Sequence, residues 1–175
     1  VEARACGIAR FMPFCLPFYE EGGVKNFAML GREITPLRSF AAYAQSIRAL
    51  AGRSYVGDLR LPGSSLVRAR VFGPAGGSGD CVAVLYTGKA AAVRVPLPFA
   101  PARAEAVDGR ELAAGSSNTV TIEGGLAYVH ADAAALAAHL DRGTPAAALL
   151  ASGRRPLPPA PAAGPVVLQH RVKPS

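Results

Sequence analysis

Hydrophobic and polar positions change their period along this chain. From Ala9 to Tyr19 (ARFMPFCLPFY) apolar and aromatic residues are nearly continuous, while Pro13 and Pro17 disfavour a helix. The stretch therefore predicts a strand buried on both faces. Before it, Val1 to Gly7 has the look of a helix end, with Gly7 as the stop. Glu20-Glu21-Gly22-Gly23 follows, then a long connection from Val24 to Thr35. From Pro36 onward Leu37, Phe40, Tyr43, Ala44, Ile47 and Leu50 recur at three- and four-residue spacing. That spacing predicts a helix with one buried face, capped by Thr35 and ended by Gly52. Helix, buried strand, long loop, helix is the order of an α/β unit with a parallel sheet.

Beyond Arg53 the period falls to two. Over Ser65 to Phe72, Leu66, Arg68 and Arg70 share one face, and Ser65, Val67, Ala69 and Val71 the other. Gly73 to Asp80 is a loose turn, and Cys81 to Tyr86 the returning strand. Further short strands are expected at 91–95, 105–107, 118–122 and 126–130, punctuated by Pro96, Asp108-Gly109 and Glu123-Gly124-Gly125. Such spacing argues for an antiparallel sandwich. Asp132 then caps a helix over AAALAAHL, and Thr144-Pro145 a second one ending near Gly153. Arg154 to Pro165 is a proline-rich linker, after which Pro165 to His170 forms a strand with nothing to pair with. The expected organisation is 1–52, 53–153, a linker at 154–165 and the start of a truncated further domain at 166–175.

Composition narrows the function classes. A chain of 175 residues that is 50% hydrophobic can bury a sizeable core. Its net charge of +7 comes mostly from singly scattered arginines, and Arg68 and Arg70 have few aromatics beside them, so they read as solvated. Nucleic-acid surfaces interleave basic and stacking residues, so no nucleic-acid partner is expected. No apolar run reaches the roughly 18 residues of a membrane span. Cys6, Cys15 and Cys81 form no C-x-x-C pair and are expected to be small buried apolar residues. His130, His139 and His170 lack spaced ligand partners, and Ser64, Ser65, Ser116 and Ser117 lie in turns without a G-x-S-x-G elbow. GPAGGSGDC is not followed by a helix opening on Lys-Ser/Thr, so it is no phosphate loop. Neither a metal nor a cofactor is expected.

The carboxyl end of the buried strand keeps some chemistry, because parallel α/β folds collect ligands there. Phe18, Tyr19 and Phe27 offer rings on which sugars stack, Glu20 and Glu21 offer carboxylates, and Asn26 offers an amide. Adjacent carboxylates in a strand alternate faces, so Glu20 and Glu21 cannot both address one bond. Packed rim aromatics, solvated loop carboxylates and a turn asparagine are the alternative readings of the same residues.

Residues 9–59 resemble the end of the catalytic (β/α)8 barrel in glycoside hydrolases of the large retaining clan, those with a β-sandwich after the barrel. The matching positions are Phe18 and Tyr19, Phe27 to Leu30, Pro36 to Ala42, and Arg53 to Leu59. VAVLYTGKAAAVRVPL, AEAVDGRE and LAYVHAD are similar to the final strands of that sandwich. The resemblance implies an α+β chain: the last strand and helices of an incomplete (β/α)8 barrel, followed by an antiparallel β-sandwich domain. It also implies retaining hydrolysis of a glycosidic bond by two carboxylates, one nucleophile and one acid/base. In this clan those carboxylates stand at the ends of the fourth and seventh strands, upstream of Val1. Glu2 falls in the helix before the eighth strand, too near that strand to be the nucleophile, so no catalytic residue is assigned in this chain. Phe18, Tyr19, Glu20 and Phe27 are the implied substrate contacts. The implied partner is a carbohydrate, met through an extracellular or periplasmic parent protein. On this reading a chain that opens on Val1 is a C-terminal piece, inactive alone. A non-catalytic carbohydrate-binding or structural sandwich module is the alternative. It would need aromatics displayed on a sandwich face, where Tyr86, Phe99 and Tyr128 are few and isolated.

Overall fold

In the computed structural model the described residues are 1–8, 20–22, 25–26, 28–31, 33–74, 79–89, 91–113 and 118–141. The predicted strand at 9–19, the helix after Pro145, the linker and the terminal strand lie outside them, as do Phe18, Tyr19, Phe27, Cys15 and His170. In chain order the elements are α1 (Glu2–Ala5), β1 (Glu20–Glu21), β2 (Lys25–Asn26), α2 (Arg38–Leu50), β3 (Arg53–Leu59), β4 (Val67–Pro74) and β5 (Asp80–Thr87). Then follow β6 (Val93–Pro96), β7 (Arg103–Ala106), β8 (Glu111–Leu112), β9 (Thr119–Ile122), β10 (Leu126–Asp132), α3 (Ala133–Ala137) and β11 (Leu140–Asp141).

The period-two stretches become a seven-stranded sheet in the order β11-β3-β4-β5-β10-β7-β8, while β6 and β9 pair separately. Every strand pairing among the described residues is antiparallel. The class is therefore mainly antiparallel sheet with few helices. The parallel unit expected for 1–52 depends on a strand outside the described residues.

Alternation divides the large sheet into two buried faces. Val67, Ala69 and Val71 of β4, Cys81, Ala83 and Leu85 of β5, and Ala127, Val129 and Ala131 of β10 share one core with Val95, Val120 and Ile122 of the β6–β9 pair. Leu136 of α3 joins that core at 1% exposure, and Asp132 Oδ1 caps the helix by accepting from Ala134 N at 2.8 Å. On the opposite face Phe72, Val82, Val84 and Tyr128 pack against Ala49 and Leu50 of α2 and Ala5 of α1. The sheet is thus covered by a β-ribbon on one side and by helices on the other.

Several expectations shift. Helix α2 begins at Arg38 rather than Pro36, with Leu37 as its extended N-cap residue. Thr35 and Pro36 belong instead to a turn: Gly31 N donates to Thr35 O at 2.7 Å, and Pro36 bridges Leu30. Its buried positions are Gln45, Ala49 and Leu50, whereas Ile47 is 56% exposed and Ala44 is exposed. The apolar stripe therefore does not face the sheet as a whole: Leu50 packs on it, Ala44 and Ile47 are exposed, and Gln45 is buried beside Glu105. Gly52, at φ 68°, ends the turn after the helix as expected. Cys6 is exposed rather than buried, while Cys81 is buried as expected.

Candidate functional site

Of the sequence-predicted contacts, Glu20 alone lies among the described residues. It is not in an open loop: β1 and β2 form a hairpin that sets Glu20 opposite Asn26 and Glu21 opposite Lys25. Phe18, Tyr19 and Phe27 lie outside the described residues, so no geometry joins the four.

A polar cluster that pattern reading passed over lies between α2 and the sheet. His130, 3% exposed, stands on β10 between two carboxylates, with Nδ1 3.4 Å from Asp80 Oδ2 and Nε2 3.2 Å from Glu105 Oε2. Antiparallel register brings them together: His130 pairs with Val82 on one side and Arg103 on the other, and Asp80 and Glu105 stand two residues along from those partners, on the same face. Gln45, 1% exposed, donates from Nε2 to Glu105 Oε2 at 2.8 Å, and its Oε1 accepts from Arg48 Nε at 2.9 Å and from Arg48 Nη2. Arg53 Nη2 donates to Asp80 at 2.5 Å, and Arg53 Nη1 to the Ala49 carbonyl at 3.0 Å, tying the helix end to β5. Arg103 Nη2 lies 3.4 and 3.3 Å from the two ring nitrogens of His130. The available signal was a period-two one: Tyr128 and His130 on β10, and Arg103 and Glu105 on β7, alternate with core alanines and valine.

A second network holds α1 to the other end of the same face. Arg70 Nη1 reaches both Asp58 oxygens at 2.8 Å, and Nη2 reaches Glu2 Oε2 at 3.1 Å. Tyr55 donates to Asp58 at 2.6 Å, and the Arg70 guanidinium stands 5.7 Å from the Tyr55 ring centroid. Arg70 is therefore a network centre rather than a solvated arginine, whereas Arg68 is exposed as expected. Burial works against the charged guanidinium, but hydrogen bonds with Asp58, Tyr55 and Glu2 outweigh it and hold the Arg70 pKa above its ordinary value. Burial, helped by the hydrogen bond to Asp58, raises the Tyr55 pKa.

The bonds of the His130 cluster clamp α2 to the sheet. Burial, with the charge of Asp80 adding to it, raises the Cys81 thiol's pKa. Among the described residues no group of three or more His, Cys, Asp or Glu is placed to hold a metal. No helix among them is long and apolar enough to cross a membrane. A concavity of about 500 Å³ lies between α1 and α2 and is lined by Ile8, Tyr43, Ile47 and Leu50 among others.

No family model and no curated protein matches the chain. A solved structure of a family 39 glycoside hydrolase from the gut symbiont Bacteroides cellulosilyticus WH2 is similar at a TM-score of 0.46 and 21% identity, over 59% of this chain. The chain spans 22% of that structure's length.

Proposed function

We propose that the chain is the C-terminal part of a glycoside hydrolase-like protein, with the tail of a (β/α)8 barrel in residues 1–52 and a β-sandwich in 53–153. The observation that carries this reading is the junction between them. Helix α2 turns at Gly52 directly into β3 and packs back on the sheet through Ala49 and Leu50. The phrases that resemble the hydrolase clan, at 36–42 and 53–59, fall on the start of that helix and on that strand. The parent would cleave a glycosidic bond with retention, using one carboxylate as nucleophile and another as acid/base, both outside this chain. Phe18, Tyr19, Glu20 and Phe27 would wall the sugar cleft, and the sandwich would support the barrel's flank.

Restoring the upstream sequence tests the proposal. The longer protein is expected to hydrolyse a glycoside with retained anomeric configuration by NMR, and to lose activity when either strand-end Glu is changed to Gln. The 175-residue chain alone is expected to be inactive. An upstream sequence without carboxylates at two barrel strand ends would overturn the reading. Retention of the isolated chain on immobilised polysaccharide would favour a carbohydrate-binding module instead.

A further inference from the structure

We propose that the recess between the second half of α2 and the β10–β7 face binds a small oxyanion, a carboxylate or a phosphoryl group. The recess measures about 280 Å³ and is lined by Gln45, Arg48, Arg53, Arg103, Glu105 and His130 among others. A single water occupies ~30 Å³ of liquid, so an oxyanion with several further atoms fits. This site does not rest on the hydrolase reading.

Donors outnumber acceptors there. Three guanidiniums line the recess, whereas the cluster holds the carboxylates of Asp80 and Glu105, and both are already engaged. Asp80 Oδ2 takes Arg53 and lies beside His130, while Glu105 Oε2 takes Gln45 and lies beside the same ring. Each guanidinium brings five N–H groups. Arg48 spends its Nε and Nη2 on a single amide oxygen, and Arg103 has Nη2 beside the His130 ring and Nη1 3.7 Å from Glu105. Arg53 Nε is buried and has no hydrogen-bond partner among the described residues. Arg48 and Arg103 line the recess with N–H groups that none of these bonds uses, and an oxyanion is the acceptor such groups favour. Gly109 also lines the recess and leaves room for the Gln45–Arg48 pair. A Cβ at that position would stand 2.6 Å from Arg48 Nη2 and 2.7 Å from Gln45 Oε1.

The test is an NMR titration of the 175-residue chain with sodium phosphate, sodium glucuronate and neutral glucose, at ionic strength held constant with sodium chloride. Phosphate, glucuronate or both should shift the His130 ring and Arg side-chain resonances with millimolar dissociation constants, and glucose should not. The stronger of the two anions identifies the phosphoryl or the carboxylate source. Arg48 is exposed, so Arg48→Ala should stay folded and weaken binding roughly tenfold, the worth of one charge-assisted contact. Arg68→Ala, at an exposed arginine outside the recess, should leave it unchanged. The proposal fails if neither anion shifts these resonances, or if Arg68→Ala weakens binding as much as Arg48→Ala does. Should Arg48→Ala unfold, the wild-type titration and the Arg68→Ala control still decide.

Discussion

Gly109→Ala probes the clamp between α2 and the sheet through two separable costs. Gly109 has φ 88°, in the left-handed region, where a side chain costs about 1 kcal/mol or more. The new Cβ would also stand 2.7 Å from Gln45 Oε1 and 3.1 Å from Gln45 Cδ, distances that force a shift. Arg48 is exposed and can swing aside, but Gln45 is 1% exposed and held by Glu105. Displacing it breaks a hydrogen bond to a carboxylate, worth about 2 kcal/mol. The total expected loss is about 3 kcal/mol, read as a lowered urea midpoint at unchanged slope. In a Gln45→Ala background that bond is already absent, so Gly109→Ala should cost only the backbone part, about 1 kcal/mol. The double-mutant cycle should therefore show about 2 kcal/mol of coupling. Effects that add within ~0.5 kcal/mol would refute the claim that Gly109 is needed to seat Gln45.

Leu136→Ala, which empties a core position 1% exposed, should cost roughly 2–5 kcal/mol by equilibrium unfolding. Asp132→Ala should cost about 1 kcal/mol because it removes the acceptor for Ala134 N, while Asp132→Asn should retain most of the stability. Burial pushes the Tyr128 pKa up to about 12, with the charge of Glu105 adding and the hydrogen bond with Ser46 opposing. Because the folded pKa lies above the ordinary value of 10.0, the stability Tyr128 contributes is fully present below pH 10 and is lost as pH rises toward 12. Tyr128→Phe should flatten that alkaline loss in thermal melts, and an unchanged pH profile would count against it. Asp58→Asn should cost no more than about 1 kcal/mol, since the carboxylate is 46% exposed, and the loss should shrink further in salt.

Local order was legible from residue pattern alone. Period two over Ser65 to Phe72 set Val67, Ala69 and Val71 on one face, and they are buried together with the β-ribbon. Asp108-Gly109 and Glu123-Gly124-Gly125 marked turns whose glycines take positive φ, and Asp132 capped its helix as its position suggested. These features depend on neighbours a few bonds away, so short-range sterics and hydrogen bonding suffice to set them.

Only the tertiary structure decided which partners meet. It placed β10 between β5 and β7, returned the two-residue β11 to the edge of β3, and left Ala44 and Ile47 of α2 exposed while Gln45 is buried against Glu105. Gln45, Asp80, Glu105 and His130 span 85 positions of sequence, and no local period links them. Their association rests on strand register and on the satisfaction of buried polar groups, both properties of the assembled sheet. The sequence by itself therefore determined the alternation of the strands after Arg53 and the turns between them, whereas the buried face of α2, the clamp and its arginine-lined recess exist only once the elements close on each other.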